Sequence, residues 1–181
     1  MEWEFEWLYT LQTIHNPFLD ALMVFITSLG NAGIVWIVVA LCFCFSKKYR
    51  TCGIQMFVSM IFVLFIGNLV LKNLIARDRP CWIDPDVALL VKNPSDFSFP
   101  SGHSMNSFTS AVTILFYNKK AGAAAVALAS VIAFSRLYHF VHFPTDVFAG
   151  ILLGTGVALA VNYVSQKYSV ASLLSRLKKK S

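Results

Sequence analysis

The chain has 181 residues, a length typical of a single domain. Hydrophobic residues make up 57% of it and charged residues only 13%, and its mean hydropathy is +0.65. Soluble domains carry about 25% charged residues, so this composition excludes an ordinary soluble protein. It predicts an all-α, polytopic membrane helix bundle. The formal net charge of +6 is assigned to loops that anchor at lipid headgroups rather than to nucleic-acid binding.

Residues 1–16 are predicted to form a helix that lies on the membrane surface. This segment mixes Trp3 and Trp7 with three glutamates, and Trp favours the headgroup layer of a bilayer. Its acidic start lacks the basic region of a secretory signal peptide. A second helix is predicted to begin at Pro17, with Asn16 as its N-cap.

Residues 17–164 are predicted to form a core of six membrane helices. A spanning helix needs about 20 residues. The first two segments are shorter than that, and they are predicted to form a hairpin that turns at residues 30–33. Residues 165–181 are predicted to be a basic tail. The six apolar segments are Pro17 to Leu29, Ala32 to Phe45, Thr51 to Leu71, Gly102 to Tyr117, Ala121 to Leu137 and Pro144 to Val164.

Six crossings predict that both termini lie on the same side of the membrane. By the positive-inside rule that side is the cytoplasm, because its loops and tail carry most of the basic residues. The long 76–99 loop then faces outward, either as a lid over a site or as a passive interfacial loop. The cytoplasmic basic residues are Lys47, Lys48, Arg50, Lys119, Lys120, Lys167, Arg176, Lys178, Lys179 and Lys180.

The third segment ends in a pair of cations, Lys72 and Arg79. On a continuous helix, residues seven apart lie on nearly the same face, and Pro80 is predicted to end this helix at Arg79. Two cations on one face suit a doubly charged oxyanion, with Arg as a bidentate donor and Lys as a point charge. The alternative is a basic helix end that reaches the membrane interface.

The fourth segment begins with Pro100-Ser101-Gly102-His103. A helix N-terminus offers free N–H groups and the positive end of the helix dipole, and Gly lets a ligand approach the backbone closely. The motif therefore predicts a phosphate site, with His103 beside it as a proton donor or acceptor. The alternative is an ordinary helix start that Ser101 caps.

The third motif contains Arg136, His142 and Asp146. His142 and Asp146 are four residues apart, so they can meet at the start of the sixth segment. A carboxylate that accepts Nδ1–H fixes the imidazole tautomer and leaves Nε2 free. The alternative is an interfacial histidine with a helix-capping aspartate. Because six crossings bring all three motifs to one side, we expect them to share one pocket.

The three motifs, K-x6-R-P, P-S-G-H and S-R-x5-H-x3-D, together resemble the signature of the type 2 phosphatidic acid phosphatase (PAP2) superfamily of membrane lipid phosphatases. The resemblance implies that His142 attacks phosphorus and forms a phosphohistidine, and that Asp146 orients it. It implies that His103 protonates the leaving oxygen and then activates water. The groups implied to hold the phosphoryl oxygens are Lys72, Arg79, Ser101, Gly102 and Arg136.

The expected substrate is a lipid phosphate in the bilayer: phosphatidic acid, phosphatidylglycerol phosphate or undecaprenyl diphosphate. No metal or other cofactor is expected, since three fixed cations replace the electrostatic function of a magnesium ion. The alternative function is a non-catalytic lipid-phosphate-binding or transport protein. The sequence specifies neither the substrate among these three nor the oligomeric state.

Four residues outside the motifs also receive an interpretation. Arg77 is expected to contact a second phosphate or headgroup, or else to pair with an aspartate of the loop. His139 is interpreted as a residue at headgroup level rather than a catalyst. Gly150 and Gly154 form a small-xxx-small pair on the sixth segment, which suits either helix association between chains or internal packing.

Overall fold

The computed structural model describes residues 2–168, so most of the predicted basic tail, including Arg176 and residues 178–180, lies outside the described residues. Between residues 2 and 168 all the regular secondary structure is helical. A 3-10 helix covers Asn31–Gly33 and a π-helix covers Leu64–Leu71. The α-helices are α1 Glu2–Gln12, α2 Pro17–Gly30, α3 Ile34–Phe45, α4 Arg50–Val63, α5 Lys72–Ile75, α6 Pro80–Ile83, α7 Gly102–Tyr117, α8 Lys119–Tyr138 and α9 Pro144–Lys167.

Local sequence signals set the helix starts. The Asn16 side chain accepts a hydrogen bond from the Leu19 N–H at 3.0 Å, with Pro17 in the first helical position, as predicted. Asn118 caps α8 in the same way. The α7 start is capped by Ser101, whose hydroxyl accepts from the Ser104 N–H at 3.5 Å.

Four helical runs are long and apolar enough to cross a membrane: Pro17–Phe45, Arg50–Ile83, Lys119–Tyr138 and Pro144–Lys167. With 16 residues, α7 is shorter, and it packs against α4, α8 and α9 at the centre of the bundle. Its buried face is rich in Ser and Thr. The prediction of an all-α membrane helix bundle is therefore confirmed.

The hairpin predicted for the first two segments is wrong. At the start of α2, the Tyr138 hydroxyl donates to Asp20 at 2.6 Å, and at the end of α2 a Cβ on Gly30 would lie 2.9 Å from Ile132. Later residues of α2 thus meet earlier residues of α8. Helix α2 therefore runs antiparallel to α8, away from the end where α8 finishes.

Helix α3 continues in the same direction as α2. The Trp36 indole donates to Ser107 near the start of α7, whereas Tyr49, which follows α3, accepts from Asn118 at the end of α7. Ala32 and Gly33 adopt left-handed φ angles of 51° and 70°. This break interrupts the helix without reversing it, so α2 and α3 form one kinked run of 29 residues.

The merged run changes the predicted topology. Among residues 2–168 the chain passes five times between the two ends of the bundle, and not six. Helix α1 and the start of α9 lie at one end, whereas Gln166 near the end of α9 lines a cleft with Thr51 and Tyr117 at the other. Within the described residues, Glu2 and Lys167 therefore lie at opposite ends of the bundle, whereas the side of the membrane on which each terminus lies stays a prediction. Hydropathy reveals the break at residues 30–33 but not the direction of the chain after it.

Helix α1 packs against the end of the bundle where α8 finishes. Leu8 is fully buried against Phe140 and Phe143, which lie between α8 and α9. Trp3 and Trp7 are exposed on the opposite face, which suits a headgroup environment. The location of this helix at the membrane surface stays a prediction.

The two glycines of α9 serve internal packing. A Cβ on Gly150 would lie 2.7 Å from the Ser101 carbonyl oxygen, and one on Gly154 would lie 2.4 Å from that of Met105. Only a residue without a side chain allows α9 to approach the α7 backbone so closely. The small-xxx-small pair therefore joins α9 to α7 of the same chain.

The five-pass topology predicts opposite labelling of two positions. In a variant whose four cysteines are replaced, Thr13→Cys and Lys119→Cys should react with a membrane-impermeant maleimide from opposite sides of sealed vesicles, because Thr13 lies at the α1 end and Lys119 begins α8 at the other. Labelling of intact and lysed vesicles measures this. Reaction of both positions from one side would restore the six-crossing topology.

Candidate active site

One pocket of about 430 Å³ lies at the α1 end of the bundle, where five helical passes end or begin. Six of the eight residues predicted for the site line it, and the other two, Ser101 and Asp146, are buried behind it. Three distant stretches of sequence thus meet at one place. The six lining residues are Lys72, Arg79, Gly102, His103, Arg136 and His142.

The first two cations meet for a different reason from the one predicted. The helix stops at Ile75, because Ala76 adopts a left-handed φ of 46°, and Arg79 lies in extended backbone before α6. Lys72 and Arg79 therefore share no helical face, and Pro80 begins α6 instead of ending a helix. The π-helix before Lys72 resets its direction, which is a common device at functional sites.

Asp96 joins the two cations from the 76–99 loop. Its carboxylate accepts from the Lys72 ammonium and, at 2.8 Å, from the Arg79 guanidinium, and its carbonyl oxygen accepts from Arg79 Nε at 2.6 Å. Burial disfavours its charged form, but the hydrogen bond from Lys72 and the charges of both cations hold the pKa of Asp96 at about 2. Sequence reasoning gave Asp96 no role in the site.

Arg79 also touches the predicted nucleophile. Its Nη1 donates to the Val141 carbonyl oxygen at 2.7 Å and lies 3.1 Å from Nε2 of His142. A guanidinium can only donate, so Nε2 must act as the acceptor and carry an unprotonated lone pair. In neutral His142 the proton therefore lies on Nδ1.

Ser98 stands between His142 and Asp146. Its hydroxyl lies 3.3 Å from Nδ1 of His142 and donates to Oδ2 of Asp146 at 2.5 Å, whereas Nδ1 and Oδ2 are 3.6 Å apart. The two groups thus lie close together as predicted, but at 3.6 Å they share no direct hydrogen bond, and the Ser98 hydroxyl contacts both. No sequence signal marks Ser98, because it contacts them from a distant loop.

The environment of His142 keeps its ring neutral. Burial first, and then the positive charges of Arg79 and Arg136, hold the pKa of His142 well below its ordinary value. An imidazole with depressed pKa retains its lone pair at neutral pH. That state is the one required of a nucleophile.

His103 and the start of α7 form another wall of the pocket. The His103 Nε2 lies 3.0 Å from the Oδ1 of Asn31, in the break between α2 and α3. An amide oxygen only accepts, so Nε2 of His103 carries a proton. The Ser101 hydroxyl faces Ser104 at 3.0 Å and does not line the pocket, so in this structure it stabilises the α7 start rather than facing an anion.

Arg136 lines the pocket from the end of α8 and is only partly paired. Its Nη1 donates to Thr27 at 2.6 Å, but its Nε is buried and has no hydrogen-bond partner among residues 2–168. An unpaired buried donor costs about 1–3 kcal/mol. The unpaired donor belongs to a guanidinium that lines a pocket, and incomplete pairing is expected of a group that binds an anion.

Neither interpretation of Arg77 is correct as stated. It pairs with Asp146 at 2.6 Å, and not with an aspartate of the 76–99 loop, and it does not line the pocket. His139 is 2% exposed, so it faces protein, and its location at headgroup level stays a prediction. Its ring is buried beside Tyr138.

The 76–99 loop covers the pocket. Residues 91–96 line it, and Val87, Leu89 and Val91 pack against the buried cluster that includes Leu8 and Phe140. The apolar run of this loop therefore faces protein. Whether the loop opens as a lid stays a prediction. Among residues 2–168, no three His, Cys, Asp or Glu residues lie close enough together to hold a metal ion.

The fold and the pocket together define a class: a multi-pass membrane protein with an anion site of ammonium, guanidinium and imidazole groups beside a helix N-terminus, suited to phosphoryl transfer. A family model described as the PAP2 superfamily matches residues 53–169. The chain belongs to this superfamily, which confirms the resemblance noted in the sequence.

Similar proteins agree with this membership. An undecaprenyl-diphosphatase of Sulfolobus acidocaldarius is 36% identical over 141 residues, 77% of this chain and 68% of that protein. The crystal structure of a PAP2-type phosphatidylglycerolphosphate phosphatase from Bacillus subtilis superposes with a TM-score of 0.75 at 31% identity, over 91% of this chain and 85% of the other. That of Aquifex aeolicus LpxE gives 0.72 at 27%, over 88% and 94%.

The burial of His142 predicts an imidazole that resists protonation. In protein with isotopically labelled histidine, the ring signal of His142 should remain that of a neutral, Nδ1-protonated imidazole at pH 6, where an ordinary histidine of pKa about 6.5 is mostly charged. NMR spectra assigned by comparison with His142→Ala measure this. A His142 titration near pH 6.5 would contradict it.

Proposed function

We propose that this PAP2 member is a hydrolase that removes phosphate from a membrane lipid through a phosphohistidine on His142. The observation that carries the proposal is the contact between Arg79 and Nε2 of His142 in a pocket that two further cations line. The membrane fold, the family and the similarity to named lipid phosphatases support the reaction class.

In the first step the phosphoryl group displaces Asp96 and binds Lys72, Arg79 and Arg136. The N–H groups at the start of α7, beside Gly102, complete the site. Nε2 of His142 attacks phosphorus, a P–N bond forms and the P–O bond to the lipid breaks. His103, which the bound phosphate dianion favours in its protonated form, gives one proton to the leaving oxygen and becomes neutral.

In the second step water attacks the phosphohistidine. His103, now neutral, takes a proton from the water, the P–N bond breaks and inorganic phosphate is released. As positive charge develops on the His142 ring, Ser98 and Asp146 stabilise its Nδ1 side. The two steps replace one difficult displacement with two easier ones.

The distribution of basic residues supports a site on the extracytoplasmic side. Lys47 and Lys119 lie at the end of the bundle opposite the pocket, as the contact between Tyr49 and Asn118 indicates. Residues 1–46 contain no Lys or Arg. The positive-inside rule therefore places the Lys47 end in the cytoplasm, with α1 and the pocket outside.

The substrate class we propose is a lipid phosphomonoester or diphosphate. The pocket of about 430 Å³ is larger than one phosphate group, and Lys92 and Asn93 of the loop line it beyond the three cations. Phosphatidic acid, phosphatidylglycerol phosphate and undecaprenyl diphosphate all satisfy this description. A direct comparison of substrates has to decide among them.

His142→Ala should abolish phosphate release, because no other group in the pocket replaces the attacking nitrogen. The measurement is a phosphate-release panel in detergent with the three lipids above, in excess EDTA, since the proposed steps use no metal. Thermal unfolding of the variant controls for folding. Full turnover by His142→Ala would exclude the nucleophile, and loss of wild-type activity in EDTA that magnesium restores would exclude the metal-free reaction.

Asp96→Asn should bind vanadate or inorganic phosphate more tightly than the wild type, because an incoming anion then displaces a neutral amide instead of a carboxylate. An ion pair at an exposed carboxylate is worth up to about 1 kcal/mol, so the inhibition constant should fall about threefold to fivefold. Vanadate inhibition curves measure this.

Asp86→Asn is the matched control for Asp96→Asn. It removes the same charge from the same loop but at a position that does not line the pocket. Equal changes of the inhibition constant in both variants would mean that it depends on the total charge of the loop and not on the position of Asp96. An unchanged constant in Asp96→Asn would show that its carboxylate does not compete with anions.

A further inference from the structure

A chain of charged groups, with a buried carboxylate at each end, extends from α1 to the back of the pocket. Glu4 Oε2 accepts from Arg77 Nη2 at 2.7 Å, and Arg77 Nη1 donates to Oδ1 of Asp146 at 2.6 Å. Thr145 donates its hydroxyl to Glu4 Oε1 at 2.6 Å. The chain links the first helix of the structure to the residue that faces the predicted nucleophile.

The burial of these groups is unusual for surface ion pairs. Glu4 is 4% exposed and Asp146 is fully buried, and neither residue lines the pocket. The Arg77 guanidinium lies 4.1 Å from the centre of the Phe143 ring, which holds it in place through a cation–π contact. The two carboxylates are therefore shielded from water, whereas Arg77, whose side chain is 20% exposed, joins them.

Docking of α1 does not by itself require these charges. Leu8 and Phe5 already pack in an apolar cluster with Phe140 and Phe143. A buried ion pair is often no more stabilising than apolar residues of similar size. Packing of α1 alone therefore does not account for a charged network at this place. The contact of the network with Asp146, which faces the predicted nucleophile, does account for it.

The two oxygens of Asp146 have separate partners. Oδ1 accepts from Arg77, whereas Oδ2 accepts from the Ser98 hydroxyl and from the Phe143 N–H at 2.8 Å and faces Nδ1 of His142. A carboxylate whose Oδ1 is fixed cannot rotate Oδ2 away from the imidazole. Arg77 therefore determines the direction in which Asp146 accepts.

Glu4 determines the net charge behind His142. Arg77 alone would neutralise Asp146, but with Glu4 the three groups carry a net charge of −1. That charge favours the positive His142 ring that forms when Nε2 attacks phosphorus. Removal of the Glu4 charge should weaken the nucleophile without touching the cations that bind phosphate.

We propose that Glu4 and Arg77 are positioning residues of the active site, which act on His142 through Asp146, so that α1 contributes one residue, Glu4, to the positioning of the nucleophile. The proposal rests on the phosphatase reaction proposed above. It assigns to α1 a role beyond the interfacial anchoring predicted from its tryptophans.

The test compares Glu4→Gln with the wild type in phosphate release from phosphatidic acid. Glu4→Gln keeps the size of the side chain and should lower kcat about tenfold, an effect typical of slightly misplaced catalytic groups. KM and vanadate inhibition should stay unchanged, because the phosphate-binding cations are intact. In an Asp146→Asn background, the same substitution should lower kcat by less than about twofold.

Tyr9→Phe is the matched control. It removes another polar contact of α1, from the Tyr9 hydroxyl to Asp84 at 2.6 Å, which does not lead to Asp146, so kcat should stay at the wild-type value. Arg77→Lys serves as a second test if Glu4→Gln does not fold. It keeps the charge but loses the double contact, and its kcat should fall with an unchanged KM.

Wild-type kcat in Glu4→Gln and Arg77→Lys would overturn the inference, as would an equal loss from Glu4→Gln with and without Asp146. A loss of kcat in Tyr9→Phe as large as that in Glu4→Gln would also overturn it, since α1 docking alone would then explain the effect. Wild-type protein and His142→Ala are assayed alongside. Full release by His142→Ala overturns the proposed function itself, which distinguishes the two failures.

Discussion

The site depends on one electrostatic constraint: three cations are held close together in a buried pocket that has too few anions to balance them. Lys72, Arg79 and Arg136 would repel one another in isolation, and burial strengthens that repulsion. Their positions are tolerated because each belongs to a different stretch of a packed helix bundle. The arrangement becomes favourable when a multiply charged anion enters, and catalysis by electrostatic stabilisation uses such preformed charge.

The bundle builds this pocket through interruptions of its helices. The 3-10 turn at Asn31–Gly33, the π-helix at Leu64–Leu71 and the left-handed residue Ala76 all lie at or beside the pocket. Regular helices would have satisfied their own backbone groups and kept their side chains on fixed faces. Each break redirects a side chain inward: Asn31 toward His103, Lys72 toward Asp96 and Arg79 toward His142.

The sequence predicted the parts of the molecule that depend on local pattern. Helix starts at Asn16 and Ser101 follow from capping chemistry, and the motif residues were expected at helix ends on one side. The predictions failed where the chain direction after a break decides the outcome. The hairpin at residues 30–33 was inferred from two short apolar segments, but a left-handed Ala32 bends a helix as readily as it starts a turn, and hydropathy does not distinguish the two.

Other residues of the site were missed because their roles arise from contacts between distant parts of the chain. Ser98 reaches Asp146 across 48 residues and Glu4 reaches Thr145 across 141. Neither has a spacing that a helix or strand would reveal. The shared helical face of Lys72 and Arg79 was likewise a local argument. That argument correctly predicted that Lys72 and Arg79 lie close together, but they do so because of the fold and their shared contact with Asp96.

The two aspartates of the site differ in burial and in their partners, and the difference gives them separate roles in the proposed reaction. Asp96 belongs to a loop, its carboxylate is more than half exposed, and it contacts the cations that face the pocket. A doubly charged phosphate forms stronger pairs with those cations than one carboxylate does, so in the proposed reaction Asp96 is exchangeable. Asp146 is fully buried and held by Arg77, Ser98 and a backbone N–H. Movement of Asp146 out of this position would leave several buried donors without a hydrogen-bond acceptor. In the proposed reaction the exchangeable carboxylate limits the repulsion among the cations until a substrate arrives, whereas the permanent one keeps a negative charge beside Nδ1 of His142 throughout.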